Sequence, residues 1–136
     1  NCRDRATLDD QVIEKLKQEY NLNNSFVGLY FGRLGLAKGI DVVLQSIAGI
    51  VAKIPNYKQV FLVPKQQPSK IFGLKNSFDI NQIQDYIKQH KLEDHVVWIE
   101  SCPREELKQR IGASDVVILP TRAEGFGFAI SEVCAL

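Results

Sequence analysis

Two glutamates, Glu124 and Glu132, stand with seven residues between them, and the turn Gly125-Phe126-Gly127 lies in that interval. Each carboxylate can accept hydrogen bonds from more than one hydroxyl. The glycines leave backbone N–H groups open to a ligand. A helical pattern opens at Phe128, and a helix start offers unpaired N–H donors and partial positive charge. The stretch Leu119 to Glu132, L-P-T-R-A-E-G-F-G-F-A-I-S-E, therefore reads as a polar pocket for a ligand carrying hydroxyls and an anionic group. The plainer alternative makes Glu124 a first-turn helix charge and Glu132 a solvated helix position. Against it, Glu132 lies among Ala129, Val133 and Leu136, where an unpartnered carboxylate is costly.

A second group of chemically able residues is the run G-R-L-G-L-A-K-G, Gly32 to Gly39, with three glycines and two cations. The guanidinium of Arg33 is a planar fork matched to phosphate oxygens, and Lys38 adds a point charge. Gly32, Gly35 and Gly39 permit a tight backbone. The run is neither a phosphate-binding P-loop nor the dinucleotide fingerprint, because the glycine spacing differs and cations intrude. An ordinary glycine-bearing turn with solvated cations is the competing explanation at this point.

Both groups need a scaffold, and the rest of the chain describes one. Thr7 with Asp10 resembles a capping box, followed by Leu8, Val12, Ile13, Leu16 and Tyr20 at helical spacing and a stop at Asn21 to Asn24. Phe26 to Phe31 is a short apolar run expected as a strand buried on both faces. Ile40, Val43, Leu44, Ile47, Val51 and Ile54 form a helical stripe stopped by Pro55. A second strand is expected at Gln59 to Val63, then a basic, exposed loop from Pro64 to Asn76. Asp79 with Gln82 opens a helix that buries Ile80, Ile83 and Ile87; a third strand follows at Val96 to Ile99, where Trp98 belongs to the core. Pro103 starts a short helix, with Glu105 and Glu106 near its positive end, and Gly112 ends it. Val116 to Leu119 is the fourth strand. Strands alternating with helices predict an α/β, Rossmann-like parallel sheet covered on both faces. In the common strand order 3-2-1-4, strands one and four are neighbours at the switch point, and ligands bind beyond their carboxyl ends. The two glycine-rich loops follow those two strands.

Bulk properties narrow the function. The 136 residues are one domain's worth, and the net charge of +1 gives no basic stripe for nucleic acid. Cys2, Cys102 and Cys134 have no C-x-x-C spacing and read as reduced thiols of a cytoplasmic protein. No carboxylate cluster has metal spacing, and no apolar run approaches the roughly 20 residues of a membrane span. His90 and His95 lack a nearby nucleophile in sequence and receive no catalytic role. With no methionine in the chain and Leu136 inside a helical pattern, residues 1–136 are expected to be one domain of a larger two-domain protein.

The residues Gly32 to Asp41 (G-R-L-G-L-A-K-G-I-D), Ala113 to Pro120 (A-S-D-V-V-I-L-P) and Glu124 to Glu132 (E-G-F-G-F-A-I-S-E) occur in an order and spacing that resemble a known family. It is the C-terminal, nucleotide-sugar-binding domain of retaining glycosyltransferases with two Rossmann-like domains, the GT-B fold of group 1 or family 4 type. The resemblance runs from about Phe26 to the end and implies residue roles. Arg33 and Lys38 would face the donor diphosphate and count, with Glu124, as catalytic. Glu124 would contact the sugar hydroxyls, Glu132 the ribose, and the backbone from Gly125 through Phe126 and Gly127 to Phe128 the sugar and phosphate, with Gly32 lining the site. Base recognition would fall near Glu100 to Pro103. The resemblance further implies a UDP- or GDP-sugar co-substrate, no other cofactor and no metal. The acceptor, a carbohydrate, lipid or other hydroxyl, would be held by an N-terminal domain that is absent, through which the protein could also sit at the cytoplasmic face of a membrane. The segment alone is expected to be inactive. Thr121 and Val133-Cys134-Ala135 depart mildly from the family pattern, and the family's following glycine-x-proline-valine strand is not in the chain, so the last sheet strands would be missing. A non-catalytic nucleotide-binding or regulatory module is the alternative. A dehydrogenase is disfavoured by the missing G-x-G-x-x-G, and a phosphorylase-like enzyme by the lack of a convincing pyridoxal-phosphate lysine.

Overall fold

The computed structural model describes residues 8–63, 80–100, 102–123 and 128–134. In chain order it contains α1 (Asp10–Glu19), β1 (Phe26–Phe31), a 3-10 turn (Leu36–Lys38), α2 (Ile40–Lys53), β2 (Tyr57–Val63), α3 (Ile80–Gln89), a 3-10 turn (Glu93–His95), β3 (Val96–Glu100), α4 (Arg104–Gly112), β4 (Val116–Val117) and α5 (Phe128–Cys134). The four strands form a parallel sheet in the order β3-β2-β1-β4. This is the expected doubly wound arrangement. Right-handed crossovers from β1 through β2 to β3 advance in one direction and put α2 and α3 on one face. The step from β3 to β4 returns past β1, so α4 falls on the other face.

Strand alternation divides the core accordingly. Tyr30, Phe61 and Val63 point to one side and meet Ile40, Val43, Leu44 and Ile47 of α2 and Ile83 and Ile87 of α3. Val27, Leu29, Val60, Leu62 and Ile99 point to the other side and meet Leu22 and Ile111, with Val133 of α5 packed against them. Trp98 is partly buried and lies tilted against Phe61 at 5.6 Å between ring centroids. β1 and β2 are thus covered on both faces, which explains their continuous apolar character.

Several boundaries differ from expectation for local reasons. The cap of α1 is Asp9, whose carboxylate accepts from the N–H groups of Gln11 (3.0 Å) and Val12 (3.4 Å). Asp9 N–H in turn donates to Gln109 of α4 at 2.9 Å. The expected cap residue, Thr7, lies outside the described residues, as do Cys2, Asp79 and the stretch from Pro64 to Asn76. β2 begins two residues earlier than Gln59, at Tyr57. Gln59 is fully buried, with its carbonyl accepting from the Tyr57 hydroxyl at 2.5 Å and its amide donating to the Val60 carbonyl at 3.1 Å. A polar residue so satisfied can sit inside a sheet. Gly28 of β1 makes the room, since a Cβ there would overlap the Tyr57 hydroxyl and come within 2.9 Å of its ring carbon.

β4 is shorter than the expected Val116 to Leu119. Its ladder covers Val116–Val117, one further bond joins Ile118 N–H to Leu29 O at 2.8 Å, and Pro120 then offers no donor. Thr121 N–H turns back to Leu119 O at 2.8 Å. The strand is pinned at its start instead: Asp115 N–H donates to Val27 O at 2.8 Å, and its carboxylate accepts from Val27 N–H at 2.7 Å.

Candidate functional site

At the carboxyl end of β1 the loop from Gly32 to Gly39 is held from beneath. Gly32 N–H donates to Leu62 O at 3.1 Å, extending the ladder with β2 by one bond. The buried hydroxyl of Tyr30 donates to Arg33 O at 2.9 Å, so the Arg33 backbone is anchored while its side chain remains exposed. Burial, with a smaller contribution from the negative Asp41, raises the Tyr30 phenol above its ordinary range. It therefore remains a donor. Lys38 ends the 3-10 turn that Gly35 precedes, and its N–H donates to Gly35 O at 3.1 Å. Arg33 and Lys38 are thus fixed by their backbones at the two ends of one short loop above β1.

Gly39 joins that turn to α2. Its φ of 70° lies in the left-handed region, and a Cβ would overlap the carbonyl oxygen of Pro120 and lie 2.8 Å from its carbonyl carbon. Only a glycine satisfies both conditions. Here the loop after β4 rests on the loop after β1. The contact continues through hydrogen bonds to Ala37 O from Arg122 N–H at 2.8 Å and Ala123 N–H at 3.4 Å.

Arg122 closes the junction with its side chain. Its Nη1 donates to Leu36 O at 2.6 Å and to Asp41 Oδ1 at 2.7 Å, while Nη2 donates to Asp41 Oδ2 at 2.7 Å. This is a fork-on-fork pair between the first turn of α2 and the β4 loop. The Asp41 side chain is 16% exposed and that of Arg122 48%. The bonded Arg122 guanidinium holds Asp41 below the usual carboxylate range. Sequence reasoning assigned no role to either residue. Asp41 ends the run Gly32 to Asp41, and Arg122 lies two residues after the fourth-strand proline. Opposite charges on loops expected to adjoin were the available signal.

The structure therefore brings the Gly32 to Gly39 loop together with the segment from Pro120 to Ala123. Glu124, Gly125, Phe126 and Gly127 lie outside the described residues. Phe128 opens α5 and Glu132 lies one turn further along it, the placement expected of both along the chain. Leu136 and Ala135 are outside the described residues.

Other chemically able groups are engaged structurally. His95 Nδ1 lies 2.8 Å from Tyr57 O, and His90 stacks on Tyr86 at 4.0 Å with its Nδ1 2.9 Å from Tyr86 O. Burial pushes the Cys102 thiol up despite nearby Arg110, opposite to the shift an activated nucleophile needs. Cys102 and Cys134 are free thiols. Among the described residues no group of three or more His, Cys, Asp or Glu side chains is placed to hold a metal ion. Among them, too, no helix is long and apolar enough to cross a membrane.

Comparison with known proteins decides the family. The model of the glycosyl transferases group 1 family matches residues 12–136. The chain belongs to that family. Spore coat protein SA of Bacillus subtilis (strain 168) is 28% identical over 110 residues, covering 77% of this chain and 26% of its own length. Mannosylfructose-phosphate synthase of Agrobacterium fabrum is 23% identical over 128 residues, covering 94% of this chain and 27% of its own length. The chain thus spans about a quarter of the length of these curated relatives. Among solved structures, Anabaena Alr3699/HepE in complex with UDP and glucose superposes with a TM-score of 0.77 at 22% identity, over 93% of this chain and 32% of that one. A glycosyltransferase from Rickettsia africae ESF-5 gives 0.77 at 20% identity, over 99% of this chain and 34% of that one. The Rossmann-like α/β fold expected for a GT-B glycosyltransferase domain is the fold observed.

Proposed function

We propose that this group 1 family chain is the donor-binding domain, over residues 1–136, of a retaining glycosyltransferase that works without a metal. The observation that carries the reading is the junction at the β1–β4 switch point. It sets the loop of Arg33 and Lys38 against the segment that leads into Glu124. The ligand is a nucleoside-diphosphate sugar. UDP is the first nucleotide to test, because structures sharing this fold were solved with UDP or UDP-glucose, and GDP is the second. The nucleotide sugar is a co-substrate, and no separate cofactor is required.

Each residue has a chemical part. Arg33 supplies a bidentate fork and Lys38 a point charge for the diphosphate, whose negative charge grows as the sugar–phosphate bond breaks. Loss of one such donor costs on the order of 10²–10³ in rate. Gly32 lets the backbone approach the ligand. Glu124 accepts from sugar hydroxyls, and Glu132 accepts from those of the ribose. The N–H groups of the Gly125, Phe126, Gly127 and Phe128 backbone approach the sugar and phosphate at the start of α5. A separate domain holds the hydroxyl acceptor and gives any association with a membrane surface, and the protein works in the cytoplasm.

Calorimetry on the full-length protein tests the reading. One of UDP, GDP and ADP should bind in the presence of EDTA, and Arg33→Ala or Lys38→Ala should abolish it. A folded full-length protein that binds none of the three refutes the proposal. One that binds but never consumes a nucleotide sugar is a binding module instead.

A further inference from the structure

The Arg122–Asp41 pair has no part in the proposed donor contacts, yet it spans the two loops that would make them. Taking that donor site as the premise, we infer that Arg122 and Asp41 are positioning residues for transfer, locking the β4 loop onto the β1 loop in the register that reaction needs. Five contacts converge on this lock: the Gly39–Pro120 approach, the bond from Arg122 N–H to Ala37 O, the bond from Nη1 to Leu36 O, and the two bonds to Asp41. They bracket Lys38 on one loop, and on the other they end two residues before Glu124. The guanidinium binds a backbone carbonyl of the lysine-bearing turn and the carboxylate of α2 together, so a shift of either loop breaks a bond at the same side chain.

Charge gives the pair a second effect. Asp41 occupies the first turn of α2, where a carboxylate suits the helix end. An anion there would also oppose an anionic ligand above β1. Bidentate pairing with Arg122 neutralises it. Nearly half of the Arg122 side chain is exposed, and exposed ion pairs add little to stability. Geometry and local charge are therefore what the pair supplies.

The test uses the full-length enzyme with UDP and UDP-glucose, or with GDP and its sugar if GDP is the nucleotide bound. Asp41→Asn and Arg122→Lys should melt close to wild type and keep the nucleotide affinity within about fivefold, the range of an exposed pair. Their kcat should fall on the order of ten- to a hundredfold, as misplacement of reacting groups by about 1 Å does. Arg122→Ala should fall at least as far, and Arg122→Ala with Asp41→Asn no further than the worse single variant, because coupled residues are not additive. Arg122→Lys keeps the charge and loses the fork. If it turns over at the wild-type rate, the positioning role is overturned, whether or not Arg122→Ala folds. Equal losses of kcat and folded fraction in every variant overturn it as well. Failure of the wild type to bind any nucleoside diphosphate is a different result, which removes the donor site and this role with it.

Discussion

Replacing Gly39 by alanine perturbs the position at which the β1 and β4 loops compete for the same space. The φ of 70° costs a residue with a side chain about 1–2 kcal/mol. The new Cβ would overlap a backbone oxygen and lie 2.8 Å from the carbonyl carbon of Pro120, which cannot rotate away as a side-chain end could. Overpacking of this kind adds about 1–3 kcal/mol. If Pro120 stays in place, the sum is about 2–5 kcal/mol, and a domain of this size should melt at least about 6 °C lower. If Pro120 retreats, the cost falls toward the backbone contribution, while the bond from Arg122 N–H to Ala37 O lengthens and nucleotide binding weakens. Thermal melting with calorimetry on the same samples separates the two responses. Gly49 is the control: it is exposed inside α2, and a Cβ there meets nothing within 4 Å. Gly49→Ala should therefore stabilise by about 0.5–1 kcal/mol. A Gly39→Ala protein that melts within about 2 °C of wild type and binds nucleotide unchanged would refute the close packing of the two loops.

Gly28→Ala should destabilise by about 1–3 kcal/mol in urea unfolding, because the added methyl drives the Tyr57 ring away from Gln59. Tyr57→Phe should cost about 1–3 kcal/mol through the orphaned Gln59 carbonyl, and should relieve part of the Gly28→Ala loss when the two are combined. Asp41 is held below its ordinary value by Arg122. Its contribution is present above the unfolded carboxylate value of about 4 and is lost as pH falls through the lower folded value. Melting temperature followed down from pH 6 should therefore decline less steeply in Asp41→Asn than in wild type, and superimposable profiles would remove that linkage.

Strand positions and their order were legible because both depend on local pattern and on chirality. The runs around Phe26, Phe61 and Val97 are apolar on successive residues, as strands covered on both faces must be. The common doubly wound order then places β4 beside β1. Residues that break the pattern for a tertiary reason were not legible. Tyr57 and Lys58 fall ahead of the strand expected from Gln59, but they join the ladder with β1, and Gln59 is satisfied by Tyr57 and accommodated by Gly28 on the neighbouring strand. The cap of α1 is Asp9, next to the acidic residue expected inside the box, because its N–H is also taken by Gln109, a hundred residues away.

The candidate site divides in the same way. Residue type and spacing alone pointed to Arg33, Lys38, Glu124 and Glu132, because cations, carboxylates and glycines after strands are chemistry written in a local stretch. The family model matches residues 12–136, a range that includes those stretches. What joins the two loops is a different matter. Arg122 and Asp41 are 81 positions apart, and in the sequence each alone is an ordinary charge on a loop or helix start. Gly39 could have been any turn glycine until Pro120 came to lie against it. The chain by itself determined which side chains could do chemistry and the sheet that carries them, because periodicity, charge and glycine placement act between near neighbours. Only the tertiary structure decided how the β1 and β4 loops interlock, because that depends on side chains and backbone from distant parts of the chain meeting at one junction, which no local pattern encodes.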